Sequence, residues 1–170
     1  MLGFLQRNLQ INNAETKSNA YVALVRSNLE YCSTVWNLYR IKDVKRVEAI
    51  QRRAARYVTN RFHNRSSVSD MIQSLKWESL TSRRTKSQLT MVYKILNDHI
   101  DIPSELFTKA TARTRANHNQ KLQILSSRLD CYKYSFFQRI VPQWNNLPAS
   151  VAEAPTLDIF RAGLNKLKIY

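Results

Sequence analysis

The cations between residues 40 and 65 are the side chains whose type and spacing point most clearly to chemistry. This stretch holds nine Lys or Arg and only two acids, Asp43 and Glu48. If residues 43–60 form a helix, at 100° per residue, five cations share an arc of roughly 120°. These five are Lys45, Arg46, Arg52, Arg53 and Arg56. Guanidinium groups match phosphate oxygens in charge and in bidentate geometry. The pattern therefore predicts contact with a polyanion, and a merely solvated helix face is the alternative.

The opposite side of the same helix is apolar and predicts attachment to a core. The apolar residues on it are Val47, Ile50, Ala54, Tyr57 and Val58. A second cationic patch is predicted at Arg83, Arg84 and Lys86. Across the chain, 27 Lys or Arg against 12 Asp or Glu give a formal charge of +15. Nucleic acid is therefore the first predicted partner, and an anionic membrane surface is the second.

No apolar stretch in the sequence is long enough to span a membrane. The longest uninterrupted apolar run covers only residues 20–25, whereas a spanning helix needs about 18 apolar residues. The N-terminus also lacks the pattern of a secretory signal. We therefore expect an intracellular protein, in the nucleus or the cytoplasm, with no membrane partner.

Candidate catalytic groups are scattered rather than clustered. Two-metal polymerases and nucleases need clustered carboxylates, yet the nearest acids of interest are Asp98 and Asp101 at the end of a predicted helix. The two cysteines, Cys32 and Cys131, show no metal-ligand spacing, so we expect them to be buried as small apolar residues. Only two glycines are present, which excludes a phosphate-cradling Walker loop. We expect no metal, no cofactor and no small-molecule substrate.

The elements that must position the cations are predicted to be helices, because glycine is rare and apolar residues recur at three and four residue steps. Predicted helices cover residues 3–10, 14–36, 43–60, a short stretch opened by the capping residues 67–70, 79–97, most of 132–148 and the residues after Thr156. Residues 108–131 are irregular and predict a loop, which could include a short β element around 121–131. The fold class is therefore all-α.

Two groups of residues are predicted to face a core. The first group, in the second helix, is Tyr21, Leu24, Val25, Leu29, Cys32 and Trp36. The second group, in the aromatic segment, is Phe136, Phe137, Ile140, Val141 and Trp144. For these aromatic rings, stacking on unpaired bases is the functional alternative. Pro142 lacks a backbone donor and should kink or break its helix near Gln138.

Five blocks of the chain resemble, in the same order, the C-terminal part of reverse transcriptases from non-LTR (LINE-type) retrotransposons, especially the jockey-like group. The blocks are Leu2–Leu9, Leu24–Trp36, Ile50–Val58, Tyr132–Phe137 and Trp144–Pro148. The resemblance implies a thumb-like helical segment over residues 1–62, followed by a helical C-terminal extension over 66–170. It also implies that these parts hold template RNA, target DNA or their hybrid on behalf of an RNA-directed DNA polymerase.

The chain departs from that family in two respects. Ser27 stands where family members often have Pro after Leu-Val-Arg. The catalytic Asp-Asp motif and the palm that carries it would lie upstream of Met1, so we expect a fragment that is not an enzyme by itself and whose natural partner is the palm. The alternative from another functional class is a decayed or domesticated helical module that binds a protein and has no nucleic-acid role.

Overall fold

The computed structural model describes residues 1–63, 65–110 and 118–167. The protein is mainly α-helical, as the sequence predicts. The α-helices are α1 (Leu2–Asn8), α2 (Ala14–Tyr21), α3 (Ser27–Glu30), α4 (Ile41–Thr59), α5 (Val68–Ser74), α6 (Leu80–Leu96), α7 (Asp130–Lys133), α8 (Phe136–Asn145), α9 (Ala149–Ala152) and α10 (Leu157–Lys166). A π-helical turn, Val22–Arg26, joins α2 to α3, and a 3-10 turn covers Ser104–Leu106.

The chain divides into two compact units. Unit 1 comprises Met1–Ser33 and Leu38–Arg83, and unit 2 comprises Thr34–Asn37 together with the chain from Arg84 onwards. The boundary that the sequence suggested, between residues 62 and 66, lies inside unit 1. The reason is that α5 packs on α4, where Val68 and Met71 are buried against Ala55.

The core of unit 1 is formed where α1, α2 and α4 meet. Its buried apolar residues are Leu5, Tyr21, Val25, Ala54, Tyr57 and Val58. The Tyr57 hydroxyl donates a hydrogen bond of 2.6 Å to the Leu9 carbonyl oxygen, and the Trp77 ring stacks on Tyr21 with centroids 4.6 Å apart. The bond from Tyr57 attaches the apolar side of α4 to the segment after α1.

The second predicted helix is less regular than its sequence period suggests. Tyr21 and Val25 are buried, as predicted, but Leu24 and Trp36 are 45% and 40% exposed, and Cys32 is exposed as well. The π-helical turn, which contains Leu24, gives more residues per turn than an α-helix, and therefore changes which residues in and after it face the core. The helix then ends at Glu30, and Cys32 takes a positive φ of 49°.

Both cysteines are exposed free thiols, so the prediction that they are buried is wrong. Cys131 lies in α7, a four-residue helix with no buried residue. Neither position contributes to a core. The apolar character of a cysteine was thus a poor guide to its burial at both places.

The aromatic segment forms the centre of the unit 2 core, which confirms the core interpretation. Ile140, Trp144 and Phe160 have no exposed surface, and Phe136 and Phe137 pack edge-on against Phe107. Because Trp144 is enclosed, it cannot stack on a nucleic-acid base.

Pro142 does not break α8, which runs without interruption from Phe136 to Asn145. The predicted break near Gln138 therefore does not occur, and the alternative, a kink at that place, stays a prediction. Val141 and Trp144, on either side of this proline, are both buried in the core. Their packing holds the helix together even though one backbone donor is missing.

Residues 108–110 and 118–129 contain no regular helix, as predicted for a loop. In place of the possible β element, the structure has one isolated antiparallel bridge between Lys109 and Leu122, and no longer strand occurs among the described residues. The rest of the predicted loop, residues 111–117, lies outside the described residues.

Candidate nucleic-acid interface

The helix α4 carries the predicted cationic face in unit 1. It begins two residues earlier than the predicted helix and ends before Asn60, which takes a left-handed conformation with φ 55°. Asn is one of the few residues that adopt this conformation readily at a helix end. On the core side, Gln51 is buried and its amide donates a hydrogen bond of 2.9 Å to the Glu78 carbonyl oxygen.

Most of the predicted cations on α4 are exposed. Lys45, Arg46, Arg52 and Arg53 are exposed, while Arg56 is half-buried and its Nε has no hydrogen-bond partner among the described residues. Arg46 forms an exposed ion pair of 3.6 Å with Asp43, and such pairs contribute little. The structure thus brings all five residues together on one side of one helix.

Lys42 also belongs to this face, although it was not among the predicted site residues. It is exposed, and at 100° per residue it falls inside the arc of the other cations. The predicted helix began at residue 43 and therefore excluded Lys42. The true start of α4, at Ile41, adds this sixth cation. We call Lys42, Lys45, Arg46, Arg52, Arg53 and Arg56 the α4 cationic face.

The one other acid on α4, Glu48, forms its hydrogen bonds with α6. Its Oε1 accepts hydrogen bonds of 2.9 Å from both the backbone N–H and the hydroxyl of Thr81. These bonds cap the start of α6. Asp43 and Glu48 together offset only part of the charge of the six cations, so the face keeps a positive potential.

The second predicted patch is not a set of free cations. Arg83 lies in unit 1, where Nη2 donates a hydrogen bond of 2.9 Å to Glu30 and Nε also bonds that carboxylate. Arg84 lies in unit 2 and is 4% exposed, with its guanidinium 4.0 Å from the centre of the Trp36 ring. Lys86 contacts the Asn165 side chain at 3.4 Å. Since Arg83 is paired and Arg84 is buried, we do not retain this patch in the interface.

Arg83 instead takes part in a structural cluster of unit 1. Glu30 Oε1 also lies 3.8 Å from Arg26 Nε, so one carboxylate forms ion pairs with two guanidinium groups. The hydrogen bond to Glu30 raises the pKa of Arg83, whereas burial, assisted by the charge of Arg83, lowers the pKa of Arg26. Burial also raises the pKa of the neighbouring Tyr21 to about 12. These groups interact with one another and are not available to a ligand.

No group of three or more His, Cys, Asp or Glu side chains within the described ranges could hold a metal ion. Among the same residues, no helix is sufficiently long and apolar to cross a lipid bilayer. His118 is buried, and its Nε2 lies 3.1 Å from the Trp144 carbonyl oxygen at the end of α8.

Comparison of the chain with protein-family models, with curated proteins and with solved structures gave no match. The resemblance to the C-terminal part of retrotransposon reverse transcriptases therefore stays a prediction. The α4 cationic face, by its geometry, is the candidate interface.

Proposed function

We propose that the protein binds the phosphate backbone of RNA, DNA or an RNA–DNA hybrid through the α4 cationic face, without reading base sequence. The observation that carries the proposal is the exposure of five cations on one side of a helix whose other side is attached to a core. Backbone contacts of this kind position a protein on nucleic acid but carry no sequence information.

The resemblance to reverse transcriptases of non-LTR retrotransposons supports the same role. In such a protein, this region would hold template RNA, target DNA or their hybrid for a catalytic palm located elsewhere. We infer that the chain is a binding region of an RNA-directed DNA polymerase and not the catalyst, with the palm as its partner in the intact parent.

Salt dependence of binding tests the proposal directly. Each phosphate contact releases condensed counterions, so log affinity should fall linearly with log salt. Replacing Lys45, Arg52 and Arg53 together by Gln removes three exposed charges and keeps the helix, because Gln is a good helix former. We expect weaker binding to every sequence tested and a salt slope that is shallower by about two to three units.

The matched control removes the same charge at exposed positions outside α4. Arg7, Arg128 and Lys166 replaced together by Gln provide this control, and we expect that variant to keep most of the parent's slope. If the triple variant on α4 instead shows the parent's slope, the face is only solvated and the proposal fails. Binding to an acidic polypeptide, but to neither RNA nor DNA, would favour the protein-interaction module.

A further inference from the structure

A pocket of 470 Å³ lies at the C-terminal end of α4, within unit 1. Its walls come from α1, α2, the last turn of α4 and the residues around these helices. Six side chains define its chemistry: Gln6, Asn12, Lys17, Tyr57, Asn60 and Phe62. None of the described residues that line the pocket is acidic. The pocket therefore suits an anionic or a neutral polar occupant.

Lys17 is the residue that points to a ligand. It is only 6% exposed, yet within the described part of the chain no carboxylate pairs with it. Its Nζ lies 3.5 Å from the Tyr57 carbonyl oxygen and 4.8 Å from the centre of the Tyr57 ring. An ammonium group has three donors, so a further acceptor can be bound. Because burial of an unpaired charge is costly, an anion beside Lys17 would be stabilised.

The remaining walls match the chemistry of a nucleobase. The carboxamides of Gln6, Asn12 and Asn60 each offer a donor and an acceptor, and none has a hydrogen-bond partner among the described residues. Carboxamides can bind base edges with two hydrogen bonds. Phe62 is 58% exposed, so its ring is accessible for stacking.

We propose that this pocket binds one unpaired nucleotide. The base stacks on Phe62 and its edge forms hydrogen bonds with the carboxamides, while the phosphate of the nucleotide binds Lys17. The proposal rests on the proposed function, because Tyr57 and Asn60 lie at the end of the helix that would hold the strand. A free nucleoside monophosphate has the same chemistry, so the experiment must distinguish it from a nucleotide within a strand.

Fluorescence anisotropy can compare a blunt duplex with the same duplex carrying one unpaired nucleotide at its 3′ or its 5′ end. We expect the wild type to bind one of the overhanging duplexes about tenfold more tightly, since stacking of a single base is worth about that much. Gln6→Glu places a carboxylate in the pocket and should abolish this advantage, while blunt-duplex affinity changes by no more than about twofold.

Two further variants separate the pocket from general charge effects. Gln73→Glu makes the same charge change at an exposed position of α5 outside the pocket, and it should keep the tenfold advantage. Phe62→Leu removes the stacking ring from an exposed site and should lose the advantage without lowering the melting temperature.

Each outcome decides between the two proposals. Equal affinity of the wild type for all the duplexes would overturn the pocket and leave the proposed function intact. If no duplex binds, the proposed function fails, and titration with AMP tests the pocket alone. Saturable AMP binding that Gln6→Glu removes would support the pocket as a free-nucleotide site. Absence of AMP binding, or equal competition by inorganic phosphate, would overturn it.

Discussion

Trp144 contributes both apolar packing and a hydrogen bond to unit 2. Its ring has no exposed surface and lies 5.9 Å from that of Phe160, centroid to centroid. Its Nε1 also donates a hydrogen bond of 2.7 Å to the Gln120 carbonyl oxygen. The side chain thus links α8 to α10 and to the loop before α7.

We predict that Trp144→Ala destabilises the protein by on the order of 3 kcal/mol, because it leaves a large cavity and an unpaired carbonyl. Denaturation with urea, followed by circular dichroism, measures the change. Trp144→Phe retains most of the packing and should cost less. An unchanged unfolding free energy for Trp144→Ala would contradict the assignment of this residue to the core.

The burial of a single residue could be predicted where it follows from the helical period. It could not be predicted where it depends on contact with a residue that is distant in the sequence. Ile140 and Trp144 match the period of α8 and are buried, as expected. Arg84 is buried because its guanidinium lies over Trp36, a residue far away in the sequence. No local pattern in the sequence reveals such a partner, so Arg84 looked like a surface cation.

At the level of whole elements, α4 was predictable because its apolar and cationic residues repeat with one uninterrupted period. The π-helical turn Val22–Arg26 was the least predictable. Its residues are apolar and helix-compatible, and a change in the number of residues per turn leaves no clear composition signal. The predicted face therefore held at Tyr21 and Val25, and in part at Leu29, but failed at Leu24, Cys32 and Trp36.

The contact between α9 and α10 depends on a residue without a side chain. A Cβ atom at Gly163 would lie 2.9 Å from Cγ2 of Val151, which is closer than two such atoms can approach. Val151 is buried and its β-branched side chain is stiff. We predict that Gly163→Ala lowers the unfolding free energy by about 1 kcal/mol, because overpacking outweighs the gain in helix propensity.

A double-mutant cycle in urea provides the control for this prediction. Val151→Ala removes the two methyl groups that the new Cβ would meet. We therefore expect the double variant to be more stable than the sum of the two single changes implies. Strict additivity would show that Gly163 and Val151 do not constrain one another.

At the scale of the whole molecule, the division into two units could not be read from the sequence. The boundary between Arg83 and Arg84 falls within α6, where the helical period continues without a break. The family resemblance instead implied a boundary between residues 62 and 66, at the end of a thumb-like segment. A turn in the chain marks the end of an element, whereas a unit is defined by which surfaces pack together.

The net charge of +15 makes like-charge repulsion a property of the whole chain, and it is concentrated on the α4 cationic face. The Debye screening length falls to about 3 Å at molar salt, so added salt should weaken the repulsion between these charges. We predict that the melting temperature rises when NaCl is raised from about 0.05 M to about 0.5 M, while nucleic-acid affinity falls over the same range.

The variant with Gln at Lys45, Arg52 and Arg53 tests whether one set of side chains causes both effects. Its melting temperature at low salt should be about 2–4 °C higher than that of the parent, as expected for a stabilisation of roughly 1 kcal/mol in a protein of this size. Added salt should raise its melting temperature by less than it raises that of the parent. The control with Gln at Arg7, Arg128 and Lys166 loses the same charge from dispersed positions and should change less. A variant that loses affinity but keeps the parent's melting response to salt would show that binding, and not self-repulsion, is the property that these cations govern.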